Sequence, residues 1–265
     1  MFKLSEESSY LMPVNFGPFY QGPPGPTTYH DVTAVTISYE TDPGMLARHI
    51  PEGFENTQPV LIVQYCLSRA ADWLAGSGYN LILVGTPVTY VHGPERIEGV
   101  YTLVIWENRT IPILAGREQT GMPKIFADIE DHRQIGDQLI TNASYAGWTF
   151  LRMHFRQTKR MTPEELAVLN KRAGSVNVFG WRYIPNTGRP GAALSHATLF
   201  PQDFVYAAAW QGEGQVQWQA LDFEQYPVHA TVTQALHQLP IKGYRDCLMT
   251  QGSIVLRNDL ARQLP

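Results

Sequence analysis

The sequence predicts a mainly antiparallel α+β domain, and three observations lead there. Strand-like runs far outnumber helical ones. The two kinds are not interleaved, which argues against a doubly wound parallel sheet. Hydrophobic residues make up 44% of the chain and charged residues 17%, enough apolar material for a sizeable core and too little charge for disorder. A length of 265 residues suits a single domain over 1–265, with residues 1–28 as a Pro/Gly-rich N-terminal arm.

The arm is read from "FGPFYQGPPGPTTYH", residues 16–30, whose prolines and glycines forbid regular structure. Being apolar and aromatic, it is expected to lie across the protein surface or a subunit contact. "DVTAVTISYET" (31–41) alternates and is β-branched, a strand pattern. "DPGMLARHIP" (42–51) is a short helix, capped by Asp42, begun by Pro43 and followed by Pro51. "PVLIVQYCLSRA" (59–70), "YNLILVGTPVTYV" (79–91), "GVYTLVIWE" (99–107) and "TIPILAG" (110–116) continue the strand-like series. Later strand candidates are "QLITNASYAGWTFLRMHF", "FGWRYIP", "FVYAAAW", "VQWQAL" and "GSIVLR". Two helices are better marked. "MTPEELAVLNKRAG" (161–174) carries Thr162 as cap, Pro163 at its first position, Glu165 completing a capping box and Gly174 as its stop. The second spans Thr231 to Gln238 and ends before Pro240.

The net charge of −4 comes without a basic stripe, so nucleic acid and acidic membranes are not expected partners. "HFRQTKR" (154–160) is the densest basic run and reads as a solvated strand or turn. Cys66 and Cys247 are isolated in apolar runs, which fits buried free thiols in a reducing cytoplasm rather than a disulfide framework or a zinc site. The N-terminus has no apolar signal region, and no segment reaches spanning length, so a cytoplasmic protein is expected. No phosphate loop, dinucleotide fingerprint or nucleophile elbow is present. The eight histidines are scattered, with no pair at helical metal-ligand spacing, and no metal is expected.

One residue stands apart. The chain has five lysines, and Lys124 alone sits in an apolar setting, in "GMPKIF". A lysine there either carries its ammonium to the surface on an apolar stem or is withdrawn from water. Withdrawal disfavours the charged form, and a free amine attacks ketones to give a Schiff base, an electron sink for neighbouring bonds.

"GREQTGMPK" (116–124), a Gly-Arg-Glu followed five residues later by Pro-Lys, resembles the active-site segment of the acetoacetate decarboxylase superfamily. Acetoacetate decarboxylase is itself a standard example of a lysine activated beside a second cation. "YETDPGMLARHIPEGFE", "PVTYVHGPERIEGVYTLVIWENRTIPILAGRE" and "LPIKGY" extend the likeness over most of the chain. The resemblance implies a cone-like closed antiparallel sheet with flanking helices and a homo-oligomer, with the N-terminal arm as a contact. It also implies Lys124 as the Schiff-base nucleophile and no organic cofactor.

The departures from the family pattern shape the expected chemistry. The second lysine that follows the family nucleophile is replaced by Ile125, so activation is expected from desolvation by Met122, Ile125 and Phe126. Val32 stands in place of the family's arginine, and its glutamates fall near Asn80 or Leu81 and on Gln64. A chain that keeps the nucleophile and loses the decarboxylation charges resembles the branch of the superfamily that acts on pyruvate-type 2-oxo acids by aldol condensation, dehydration or hydration. On that reading Glu118, Tyr244 and Tyr90 are the acid or base candidates. Gln64, Tyr90 and Gln119 bind substrate by uncharged groups, and Arg117 either pairs with the substrate carboxylate or closes a local contact. Decarboxylation of a β-keto acid is the alternative; a non-catalytic β domain enclosing a small ligand is the second.

Overall fold

A computed structural model describes residues 3–265. β1 (Thr27–Glu40) is followed by the short helix α1 (Pro43–Ala47) and then by β2 (Val60–Ala71), β3 (Tyr79–His92) and β4 (Glu95–Glu107). Helix α2 (Thr110–Ala115) precedes the three-residue strand β5 (Lys124–Phe126), the hairpin β6 (Gln138–Tyr145) and β7 (Trp148–Arg160), and helix α3 (Pro163–Ala173). β8 (Ser175–Pro185), β9 (Ala192–Trp218), helix α4 (Ala230–Gln238) and β10 (Gly243–Leu256) follow, and further strands of two or three residues are left unnumbered. The order β8-β4-β3-β2-β1-β10-β9 closes on itself through the β8–β9 ladder. Every strand of this circuit therefore has a hydrogen-bonded neighbour on both sides. The contact between β8 and β4 is parallel and two residues wide; the other ladders of the circuit are antiparallel.

β9 departs from the sequence reading, which divided it into two strands. Its residues pair in turn with β8, β10 and β7. "QGEGQ" (211–215) lies between the two expected strands, and its glycines serve close packing rather than a turn. A Cβ on Gly212 would lie 2.4 Å from the Phe155 ring, and one on Gly214 would lie 2.6 Å from Ile37. "TIPILAG" also departs, forming helix α2 instead of a strand. Pro112 falls in the first turn, where a backbone N–H has no helical partner to lose. The end of β4 is meanwhile taken by β5. α1 and α3 form as expected. Asp42 Oδ1 accepts from the Met45 amide, and Thr162 and Glu165 close the capping box. Cys66 and Cys247 are buried and free.

The alternation of β1 divides the interior. Val35, Ile37 and Tyr39 face outward into a core shared with Phe150, Met153 and Phe155 of β7 and with Leu236 of α4. Ala34, Thr36 and Ser38 face the lumen of the closed sheet, a cavity of about 360 Å³ with Gln64, Leu248 and Thr250 on its wall. Leu169 and Arg172 of α3 lie at its border.

Candidate active site around Lys124

The apolar run of β4 ends at Glu107, and β5 lies parallel to it with Lys124 opposite Ile105, Ile125 opposite Trp106 and Phe126 opposite Glu107. Alternation then sorts the side chains. Ile125 and Trp106 enter the main core, while Lys124 and Glu107 share the other face. Lys124 Nζ lies 2.8 Å from Glu107 Oε1 and donates to the Pro112 carbonyl at 3.2 Å. The same nitrogen stands 6.0 Å from the centre of the Tyr79 ring. Only 11% of the Lys124 side chain and none of the Glu107 side chain reaches solvent. Glu107 Oε2 has no hydrogen-bond partner among the described residues. Burial pushes the Glu107 carboxyl above its ordinary range, with the Lys124 charge and hydrogen bond pulling the other way.

Residues 116–120, just after α2, form a single turn of π-helix. Such wide turns occur at functional sites. Here the turn ends at Gly121, whose φ of +68° and close approach to the Arg182 backbone suit glycine. Thr120 is tied on both sides, donating to the Gly116 carbonyl and accepting from Thr198 Oγ1 at its own carbonyl. Gly116, Gln119 and Thr120 line a chamber of about 40 Å³ with Lys124, Tyr29, Trp73, Phe200 and Leu256, and Tyr20 of the arm reaches its wall. At roughly 10–15 Å³ for one water, this volume suits a small molecule. Lys124 is the one charged side chain on the lining among the described residues. Gln119 Nε2 is buried without a partner among the described residues.

The candidates named from sequence separate in space. Lys124 and Gln119 meet in the chamber. Arg117 lies beside it but turns outward, with Nη1 donating to the Lys124 backbone carbonyl at 2.9 Å; of its two expected roles, this is the local contact. Glu118 is half-buried on the same turn and does not line the chamber. The other three belong elsewhere. Gln64 faces the lumen, where its amide donates to Thr36 Oγ1. The Tyr90 hydroxyl donates to the Pro265 carbonyl at 2.8 Å, within a different apolar cluster. The Tyr244 hydroxyl accepts from the Val216 amide on β9. Each is held by the face its strand presents, and none lines the Lys124 chamber.

Of the residues expected to desolvate Lys124, Met122 and Ile125 are buried, whereas Phe126 is 42% exposed. Ile125 turns into the core, away from the amine. Ile125→Lys is therefore expected to destabilise the fold by about 3–5 kcal/mol, as an unpaired buried charge does, without placing a cation beside Lys124. Urea denaturation measures this; an unchanged midpoint would contradict the assigned facing.

Sequence reasoning missed Glu107, Tyr29, Tyr79 and Trp73. The available signal was a carboxylate closing the otherwise apolar run "YTLVIW". Gly116 is a further constraint, because a Cβ there would lie 2.5 Å from Lys124 Cε and 2.8 Å from Nζ. Its φ of −66° accepts alanine, so Gly116→Ala is expected to fold normally while displacing the amine. Adduct formation on Lys124 should slow by roughly 10²-fold at an unchanged melting temperature.

Among the described residues no group of three or more His, Cys, Asp or Glu is placed to hold a metal ion, and no helix is long and apolar enough to cross a membrane. Residues 11–251 match the family described as Acetoacetate decarboxylase (ADC). The acetoacetate decarboxylase of Burkholderia multivorans is 28% identical over 219 residues, 81% of this chain and 83% of that protein. The crystal structure of acetoacetate decarboxylase from Legionella pneumophila superposes with a TM-score of 0.73 at 20% identity, covering 92% of this chain and 88% of that one. The enduracididine biosynthesis enzyme MppR, complexed with pyruvate, superposes with a TM-score of 0.71 at 14% identity, covering 98% of this chain and 99% of that one. At these identities the two structural likenesses are likenesses of fold.

Proposed function

Because the chain belongs to the acetoacetate decarboxylase family, an enzyme family, we propose that it is a lyase that forms a Schiff base on Lys124 with a pyruvate-like 2-oxo acid. One observation carries the reading. A buried amine lies against a buried carboxylate, in a small chamber whose other polar groups are uncharged. With Ile125 in place of the family's second lysine, Glu107 supplies instead a base within hydrogen-bond reach of the ammonium. Moving the proton from Lys124 Nζ to Glu107 converts two buried charges into two neutral groups, and burial favours that direction at the carboxyl.

The free amine attacks the ketone carbon. The N–C bond forms, and the carbonyl oxygen leaves as water to give the iminium. Loss of a proton from the adjacent carbon gives an enamine. That carbon bonds to the carbonyl carbon of an aldehyde, and expulsion of the new hydroxyl as water leaves a conjugated iminium. Hydrolysis releases an unsaturated 2-oxo acid and regenerates Lys124. Hydration of such an enone runs the dehydration step backwards on the same electron sink. Gln119, with its unpaired Nε2, is the substrate-binding residue of this scheme.

Decarboxylation of acetoacetate is the second reading, favoured by the name of the relative at 28% identity. Borohydride trapping separates the two. Pyruvate should leave an N-(1-carboxyethyl) group on Lys124. An N-isopropyl group after incubation with acetoacetate, formed from acetone, would move decarboxylation to the front. No adduct from either ketone would overturn the Schiff-base reading and favour a ligand-binding domain.

A further inference from the structure

Tyr29 and Trp73 line the Lys124 chamber, and the buried Tyr79 lies behind Tyr29. Trp73 Nε1 donates to the Tyr29 hydroxyl at 2.9 Å, and the hydroxyls of Tyr29 and Tyr79 are 2.9 Å apart. An indole can only donate, so Tyr29 accepts on that side. Between the two tyrosines, either hydroxyl is able to give its proton. Donation from Tyr29 to Tyr79 would leave the Tyr79 proton buried with no acceptor, because the Tyr79 hydroxyl meets no other hydrogen-bond partner among the described residues. An unmet buried donor is costly. The favoured arrangement has Tyr79 donating to Tyr29 as well. Tyr29 then accepts two hydrogen bonds and keeps its own proton for the chamber. Burial pushes its hydroxyl up to about 12, so that proton is in place at neutral pH.

Gln119 lines the same chamber, and its Nε2 is a second donor, buried and without a partner among the described residues. Two uncharged donors beside the amine make a site for one anionic oxygen pair, with no guanidinium required. Given the Lys124 Schiff-base reading, on which this assignment rests, we infer that the Tyr29 hydroxyl binds the substrate carboxylate, with Trp73 and Tyr79 as positioning residues that turn its proton toward the chamber.

The test compares two methyl ketones that differ in the carboxylate, pyruvate and acetone, each trapped on Lys124 with borohydride over a concentration series. Wild type, Tyr29→Phe and Trp73→Phe are measured, with far-UV circular dichroism to check the fold. Tyr29→Phe should raise half-saturation by pyruvate 10- to 100-fold and leave acetone within about twofold. Trp73→Phe should shift pyruvate in the same direction by less. Equal losses for both ketones, or an unchanged pyruvate curve in Tyr29→Phe, would overturn the assignment while the Lys124 adduct stands. Absence of any adduct in the wild type would overturn the Schiff-base reading, and the Tyr29 role with it.

Discussion

Lys124→Met should remove the pyruvate and acetoacetate adducts and lower turnover by at least about 10³-fold, since no other amine lines the chamber among the described residues. The same substitution has a second, separable effect. It leaves Glu107 buried without its cation, and breaking a buried pair in this way costs about 3–5 kcal/mol. The sign of its pH dependence follows from the carboxyl. Glu107 already holds its proton to higher pH than a glutamate in the unfolded chain, and loss of the cation raises its hold further. Over the window above the ordinary glutamate range, the folded state binds more protons than the unfolded state. Stability of Lys124→Met therefore falls as pH rises through that window and recovers on acidification. Replacing both partners, Glu107→Leu with Lys124→Met, should restore stability to near or above the wild-type value, because neither charge remains to be desolvated. Denaturant titrations at acid and neutral pH measure all three variants. A double variant as unstable as the single one would show that the two side chains are not energetically coupled.

The second large effect concerns Glu107 as base. Glu107→Gln keeps the shape and removes the proton acceptor, so the rate of iminium formation should fall by about 10²–10³-fold at neutral pH. In the wild type the carboxylate form is the active one, and burial raises its titration. The acid limb of the pH–rate profile is therefore expected above the ordinary carboxylate range, with rate lost as pH falls through it. Glu107→Gln should flatten that limb. A limb that persists in Glu107→Gln would assign the titration to another group and leave Glu107 as a counter-ion only.

These two residues mark the boundary between local and long-range information. Lys124 was legible because "GREQTGMPK" is contiguous: turn, proline and lysine act within nine residues, and the apolar flanks report the surroundings directly. The α3 capping box was legible for the same reason, since Thr162 and Glu165 satisfy one another's backbone three residues apart. Glu107 lies 17 residues before its partner, and a lone carboxylate at the end of a strand ordinarily meets solvent. The parallel pairing of β4 with β5 brings it beneath the amine instead. Tyr29 is farther still, brought to Trp73 and Tyr79 by the pairing of β1 with β2, where it lies opposite Ala71, and of β2 with β3.

Most of the long strands, the mainly antiparallel character of the sheet and the family motif were legible in the sequence alone, through alternation, capping and turn chemistry. Tertiary structure decided that Gln64, Tyr90 and Tyr244 face away from the chamber, that "TIPILAG" coils into a helix and that Ile125 enters the core. The physical reason is register. Side chains alternate faces with a period of two, so a shift of one residue in strand pairing reverses which groups meet, and pairing between distant segments is settled only when the whole sheet closes.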